Sequence, residues 1–102
     1  MAKHKKAILY QTGQTPDGKI VLSGLYKFFE THGLPLDVLF DCCIDRNAVP
    51  DWIDLYKSAR LAGMEHERIL SKLEEAISDS YGKEWSNIVI SRLNKLYKDS
   101  HD

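Results

Sequence analysis

The sequence predicts an all-α fold, a compact array of about five short helices. Three observations lead to this prediction. Apolar residues recur at helical spacing in five successive segments, turn-forming residues separate those segments, and 102 residues are too few for a second core. A composition of 43% hydrophobic and 28% charged residues is typical of a globular protein. We expect one helical domain over residues 19–98, followed by a short tail at residues 99–102.

Residues 1–18 are expected to form a flexible or extended arm. Gly13, Pro16, Asp17 and Gly18 are turn formers, and the Pro-Asp-Gly sequence is typical of a tight turn in which glycine takes a positive φ. The short apolar runs at residues 8–10 and 20–22 lie on either side of this turn. A small β-hairpin within residues 7–22 is therefore the alternative to an arm.

The first two helices are predicted over residues 23–33 and 35–44. Ser23 is a suitable N-cap, Gly33 a suitable end, and Pro35 is tolerated in a first helical turn. The second helix is apolar over most of its circumference, so we expect it to be the most buried one.

The other three helices are predicted over residues 50–62, 65–80 and 83–98. Gly63 and Gly82 separate them, and acidic residues begin the third helix, where the helix dipole favours them. His66 stands between two glutamates at the start of the fourth helix, and we expect it to be solvated.

Charge and length exclude several classes of function. The net charge is −1, but residues 34–79 hold ten acidic and five basic side chains. No apolar run is long enough to span a bilayer, and residues 7–10 are too short an apolar stretch for a signal peptide. Cys42 and Cys43 are adjacent and cannot join distant segments, which favours a reducing compartment. We expect a cytoplasmic protein without a membrane partner.

No catalytic or metal-binding motif is recognisable. The stretch from Gly13 to Ile20 has two glycines and a lysine near P-loop spacing, but it contains Pro16 and lacks the Ser or Thr that holds Mg²⁺. Adjacent cysteines on a helix point about 100° apart, and the histidines are scattered. We expect no catalytic residue, metal, cofactor or small-molecule substrate, and therefore no enzyme.

An acidic edge on the second helix predicts a protein partner. Asp37, Asp41 and Asp45 recur every four residues and so lie along one side of the helix. Such an edge suits a basic protein surface, although a solvated face is the simpler alternative. Aromatic residues at the borders of apolar stripes are the second indication, since they suit an interface, although such residues commonly belong to the core: Trp52, Trp85 and Tyr97. Ile90 lies off the main stripe of the fifth helix, which suits a homodimer seam.

A helix-turn-helix is the alternative interpretation. Ala59, Gly63, Met64 and Ile69 are spaced as in units in which two short helices cross closely. A nucleic-acid-binding regulator would use basic residues of the fourth helix and of the N-terminal tip: Arg68, Lys72, Lys3, Lys5 and Lys6. The same helix carries five acidic residues, which disfavour contact with phosphates. The leading hypothesis is a small, non-enzymatic helical protein-interaction module.

Overall fold

Five helices and a small sheet make up the chain. A computed structural model describes residues 9–100. The elements in order are β1 Tyr10–Gln14, β2 Ile20–Ser23, α1 Leu25–His32, α2 Leu36–Asp45, β3 Ala48–Pro50, α3 Trp52–Leu61, α4 His66–Tyr81 and α5 Lys83–Ser100. The three strands form one mixed sheet in the order β1-β2-β3. The prediction of an all-α fold is therefore wrong, because the helices pack around a real sheet.

The first two strands form the antiparallel hairpin. Tyr10 pairs with Ser23 and Gln14 with Ile20, and the register shifts at a bulge between Gln11 and Gly13. The amide of Gly18 donates to the carbonyl of Thr15 at 2.9 Å, and Gly18 takes a φ of 92°. The Pro-Asp-Gly turn thus lies where the sequence predicts it. Strand β1 begins at Tyr10, which is the last residue of the apolar run at residues 8–10.

The third strand pairs in parallel with the second and has no counterpart in the sequence analysis. Ala48 lies opposite Ile20 and Pro50 opposite Leu22. The chain leaves α2 through Asn47, which takes a left-handed φ of 54°. Helices α1 and α2 are therefore the crossover between the two parallel strands.

A chain of polar contacts joins the hairpin to α3. Asp51 is the N-cap of α3, and its carboxylate accepts from the Asp54 amide at 3.1 Å and from the Ser23 hydroxyl at 3.1 Å. The Thr12 hydroxyl lies 3.1 Å from that of Ser23. The predicted N-cap of α1, Ser23, belongs instead to β2. Gly24 takes the cap position, and its amide donates to the Asp54 carboxylate at 3.1 Å.

The core centres on α2 and an aromatic cluster. Phe40 is fully buried, and its ring lies 5.3 Å from Trp52 and 6.0 Å from Tyr81, centroid to centroid. The Tyr81 hydroxyl donates to the carbonyl of Ala48 at 3.2 Å, which ties α4 to β3. Within residues 9–100, no helix is both long enough and apolar enough to cross a bilayer.

Candidate protein-binding site

A groove runs along one side of α4, between that helix and α1, α2 and α3. Its larger part encloses about 580 Å³ and is lined by Tyr26, Phe29, Leu36 and Met64, with charged side chains at the rim. A second part of about 400 Å³ adjoins it and shares Phe29 and Leu36. We call the two parts together the α4 groove.

Local sequence explains why this groove stays open. Helix α1 has only eight residues and ends at Gly33, which takes a left-handed φ of 68°. Phe29 and Leu36 thus lie on either side of a sharp turn and are only partly buried against the core. The small residues Ala59 of α3 and Ala62, the C-cap of that helix, also belong to the lining. Short side chains here leave space that a longer α1 or bulkier α3 residues would fill.

A row of four charged residues follows the rim of the groove on α4. Arg68, Lys72, Glu75 and Asp79 are all exposed, and their spacing of four, three and four residues places them within an arc of about 60°. Arg68 and Lys72 line the larger part of the groove, and Lys72, Glu75 and Asp79 line the smaller part. We call these residues the charged row. It is basic at one end and acidic at the other, and the exposed N-cap residue of α4, Glu65, also lines the larger part of the groove.

The predicted acidic edge of α2 partly adjoins the acidic end of this row. Asp37, Asp41 and Asp45 are all exposed. Asp37 lines the smaller part of the groove together with Glu75 and Asp79. Asp41 accepts a hydrogen bond of 3.2 Å from Ser80 of α4. Two helices thus contribute carboxylates to one acidic area, whereas Asp45 lies at the far end of α2.

The helix-turn-helix residues form a tight turn between α3 and α4. Gly63 takes a φ of 99°, and the Met64 amide donates to the carbonyl of Ala59 at 3.1 Å. Arg68 and Lys72 are exposed on α4, whereas Lys3, Lys5 and Lys6 lie outside the described residues. Exposed acidic residues outnumber the basic ones on α4, and we expect them to repel phosphates: Glu67, Glu74, Glu75 and Asp79.

The predicted interface residues of α3 and α5 differ in exposure. Trp52 is 8% exposed and belongs to the aromatic cluster of the core, although part of it lines the same depression as Trp85. Ile90 packs partly buried against the core. Trp85 is 37% exposed beside Ile88, which is 55% exposed, in a depression next to the hairpin turn. Asp17, Lys19 and Arg92 also line this second apolar area.

Tyr97 and His66 belong to a buried polar cluster, although His66 was expected to be solvated. The Nδ1 atom of His66 lies 2.8 Å from the Tyr56 hydroxyl, and Nε2 lies 2.9 Å from Oδ1 of Asn94. The Tyr97 ring stacks on the imidazole at 3.8 Å, and the Arg60 guanidinium lies 5.7 Å from the Tyr97 ring centre. Because Oδ1 accepts from Nε2–H, Nδ1 accepts from Tyr56. These contacts fasten α3, α4 and α5 together.

Burial keeps the Tyr56 hydroxyl and the Cys43 thiol protonated at neutral pH. Burial raises the pKa of Tyr56, so its hydroxyl stays protonated and donates to His66. Burial also raises the pKa of Cys43 to about 11, which keeps this thiol uncharged at neutral pH. Cys42 is only half-buried. Within residues 9–100, no three His, Cys, Asp or Glu side chains come close enough to hold a metal ion.

Comparison with known proteins gives no match to a family model, to a curated protein or to a solved structure. The surface itself is therefore the basis for a functional proposal. The sequence pattern indicated Asp37, Arg68 and Lys72 as candidate site residues, but did not indicate Phe29, Leu36, Glu75 or Asp79. The spacing of the charged row was visible in the sequence, but its position beside an apolar groove depends on how α1 and α2 pack.

Proposed function

We propose that this protein is a small, non-enzymatic interaction module that binds a helix of a protein partner in the α4 groove. The observation that supports this proposal is the groove itself, in which partly exposed Phe29 and Leu36 line both parts, with Arg68 in the larger part and Glu75 and Asp79 in the smaller part. Protein grooves with apolar floors commonly receive the apolar face of an amphipathic helix. Charged groups at the rim then select the partner and its direction.

The charges at the rim define the chemistry of the partner. Its apolar side chains would cover Phe29 and Leu36, which removes their exposed area from water. Its basic residues would face Asp37, Glu75 and Asp79 at one end of the groove. Asp37 belongs to the acidic edge of α2 that the sequence predicts. The proposed binding surface adds Glu75 and Asp79 of α4 to it.

A peptide titration followed by ¹⁵N NMR tests the proposal. Two synthetic helical peptides would carry the same leucines on one face and either lysines or glutamates at the flanking positions. We expect the lysine peptide to bind about tenfold more tightly, with shifts concentrated at Phe29, Leu36 and Ala76. Absence of binding, or shifts confined to other surfaces, would contradict the proposal.

Neutralising the acidic end provides a matched comparison. The triple variant Asp37→Asn, Glu75→Gln, Asp79→Asn should lose the preference for the lysine peptide. The control variant Glu30→Gln, Glu67→Gln, Glu84→Gln changes the net charge equally, but at exposed residues that do not line the groove. We expect this control to keep the preference, and equal behaviour of both variants would argue for a non-specific charge effect.

A further inference from the structure

We infer that the occupant of the α4 groove is a second copy of this chain, with the two α4 helices packed antiparallel about a two-fold axis. The inference rests on the proposed function and names the partner for the same groove. It is carried by the order of signs in the charged row. The row is basic at Arg68 and Lys72 and acidic at Glu75 and Asp79, so reversing its direction exchanges the signs.

The spacing of the four residues is compatible with a two-fold axis, and so is the order of their charges. The midpoint between Arg68 and Asp79 coincides with the midpoint between Lys72 and Glu75, between residues 73 and 74. An antiparallel copy centred there places its Asp79 opposite Arg68 and its Glu75 opposite Lys72. Two-fold symmetry then repeats both pairs, because each copy presents the same surface. A parallel copy in the same register would place like charges opposite each other.

Apolar residues lie close to the centre of this arrangement. Phe29, Leu36 and Lys72 line both parts of the groove, and so mark the place where its two halves meet. Lys72 is also next to the midpoint of the charged row. The two copies would therefore bring Phe29 and Leu36 together near the axis and place the charged pairs around them. Protein interfaces typically have this apolar centre and polar rim.

The surface of α4 allows a close approach of this kind. The short side chain of Ala76 lines the smaller part of the groove and is only 8% exposed, and Ser71 is exposed on the neighbouring face. From Arg68 to Asp79 the row spans roughly 16 Å along the helix axis. Two such rows cover each other along about three helical turns, and charged pairs at the rim fix their register.

Two complementary variants test the inference by sedimentation velocity. The variant Arg68→Glu, Lys72→Glu makes the row wholly acidic, and the variant Glu75→Lys, Asp79→Lys makes it wholly basic. We expect each alone to have a dimer dissociation constant at least about tenfold above that of the wild type, because like charges then face each other. Mixed in equal amounts, the two should form a heterodimer, since every pair is then of opposite sign.

A charge-matched control distinguishes an effect of the charged row from an effect of charge elsewhere on α4. The variant Glu67→Lys, Glu74→Lys reverses two exposed residues on the other side of the exposed face, and it should dimerise like the wild type. Circular dichroism would show that every variant is folded. A wild-type chain that is monomeric at about 1 mM, or folded variants that fail to associate on mixing, would overturn the inference.

The same measurements separate this inference from the proposed function. A wild-type chain that binds the lysine peptide but stays monomeric overturns the second copy as occupant and leaves the groove as a binding site. A chain that dimerises, but whose charged-row variants behave like the wild type, overturns the antiparallel α4 arrangement. Displacement of the wild-type dimer by the lysine peptide would support both.

Discussion

Replacing Asp51 with alanine should weaken the contact between the sheet and α3 and destabilise the domain, while the backbone bond from the Asp51 amide to the Leu22 carbonyl at 2.8 Å remains. The Asp51 carboxylate makes two kinds of contact. One oxygen accepts from the Asp54 amide in the first turn of α3, and the other accepts from the Ser23 hydroxyl of β2, each at 3.1 Å. Ser23 is only 2% exposed, so in the alanine variant its hydroxyl is left with the Thr12 hydroxyl, which itself donates to the same Asp51 oxygen at 3.4 Å in the wild type. The alanine variant therefore loses a helix cap and a contact between two elements.

The expected loss follows from these two contacts. Removal of an aspartate N-cap typically costs about 1 kcal/mol. A hydrogen bond from a hydroxyl to a charged group contributes about 1.5–3 kcal/mol, and we take the lower part of that range because Asp51 itself is half-exposed. Together, Asp51→Ala should lower the free energy of unfolding by about 2–3 kcal/mol. For a chain of this length, this corresponds to a fall of about 10 °C in Tm.

Urea denaturation of four proteins measures the contribution of the helix cap and that of the Asp51–Ser23 hydrogen bond separately. The wild type, Asp51→Ala, Ser23→Ala and the double variant form a thermodynamic cycle. We expect a coupling of about 1 kcal/mol or more between Asp51 and Ser23, well above the deviation of roughly 0.5 kcal/mol seen for independent sites. Asp51→Ser is the control, since it keeps a capping oxygen but is too short to reach Ser23. Additive effects of Asp51→Ala and Ser23→Ala would refute the proposed link between sheet and helix.

Three further predictions concern the interior. Tyr56→Phe should cost about 1–2 kcal/mol in urea denaturation, because Nδ1 of buried His66 loses its donor, and an unchanged midpoint would contradict the polar cluster. Phe40→Ala should cost about 3–5 kcal/mol and Phe40→Leu much less, since Phe40 is fully buried, so equal losses would argue against the packed aromatic cluster. With its pKa raised to about 11, Cys43 should be only about 0.1% thiolate at pH 8. In Cys42→Ala it should react with iodoacetamide far more slowly than Cys42 does in Cys43→Ala, and equal rates measured by mass spectrometry would contradict its burial.

The helices could be predicted from sequence because their signals are local. Gly33, Gly63 and Gly82 lie just beyond the ends of α1, α3 and α4, and each takes a positive φ that other residues rarely adopt. Apolar spacing between these glycines then sets the buried faces. Such signals need no knowledge of distant parts of the chain.

The third strand could not be predicted in the same way. Ala48–Pro50 has only three residues, a run too short to show a β periodicity, and it ends in proline. Its pairing with β2 depends on α1 and α2 bringing the two segments together. The assignment of Ser23 as a helix cap failed for the same reason, since the partner that decides its role is Asp51, far along the chain.

His66 shows the corresponding limit for side chains. Its neighbours Glu65 and Glu67 are exposed and indicated a solvated position, whereas the residues that bury it come from α3 and α5. The α4 groove is a mixed case. The charged row could be found in the sequence by its spacing, but the partial exposure of Phe29 and Leu36 follows only from the packing of three helices.

Both outer strands of the sheet are unsuited to growth by strand addition. A bulge interrupts β1 at Gln11 and Gly13, which distorts the backbone that an added strand would pair with. At the other edge, Pro50 has no N–H to donate, and the carbonyl of Ala48 already accepts from Tyr81. Within the described residues 9–100, edge-to-edge pairing of this sheet is therefore disfavoured at both of its outer strands.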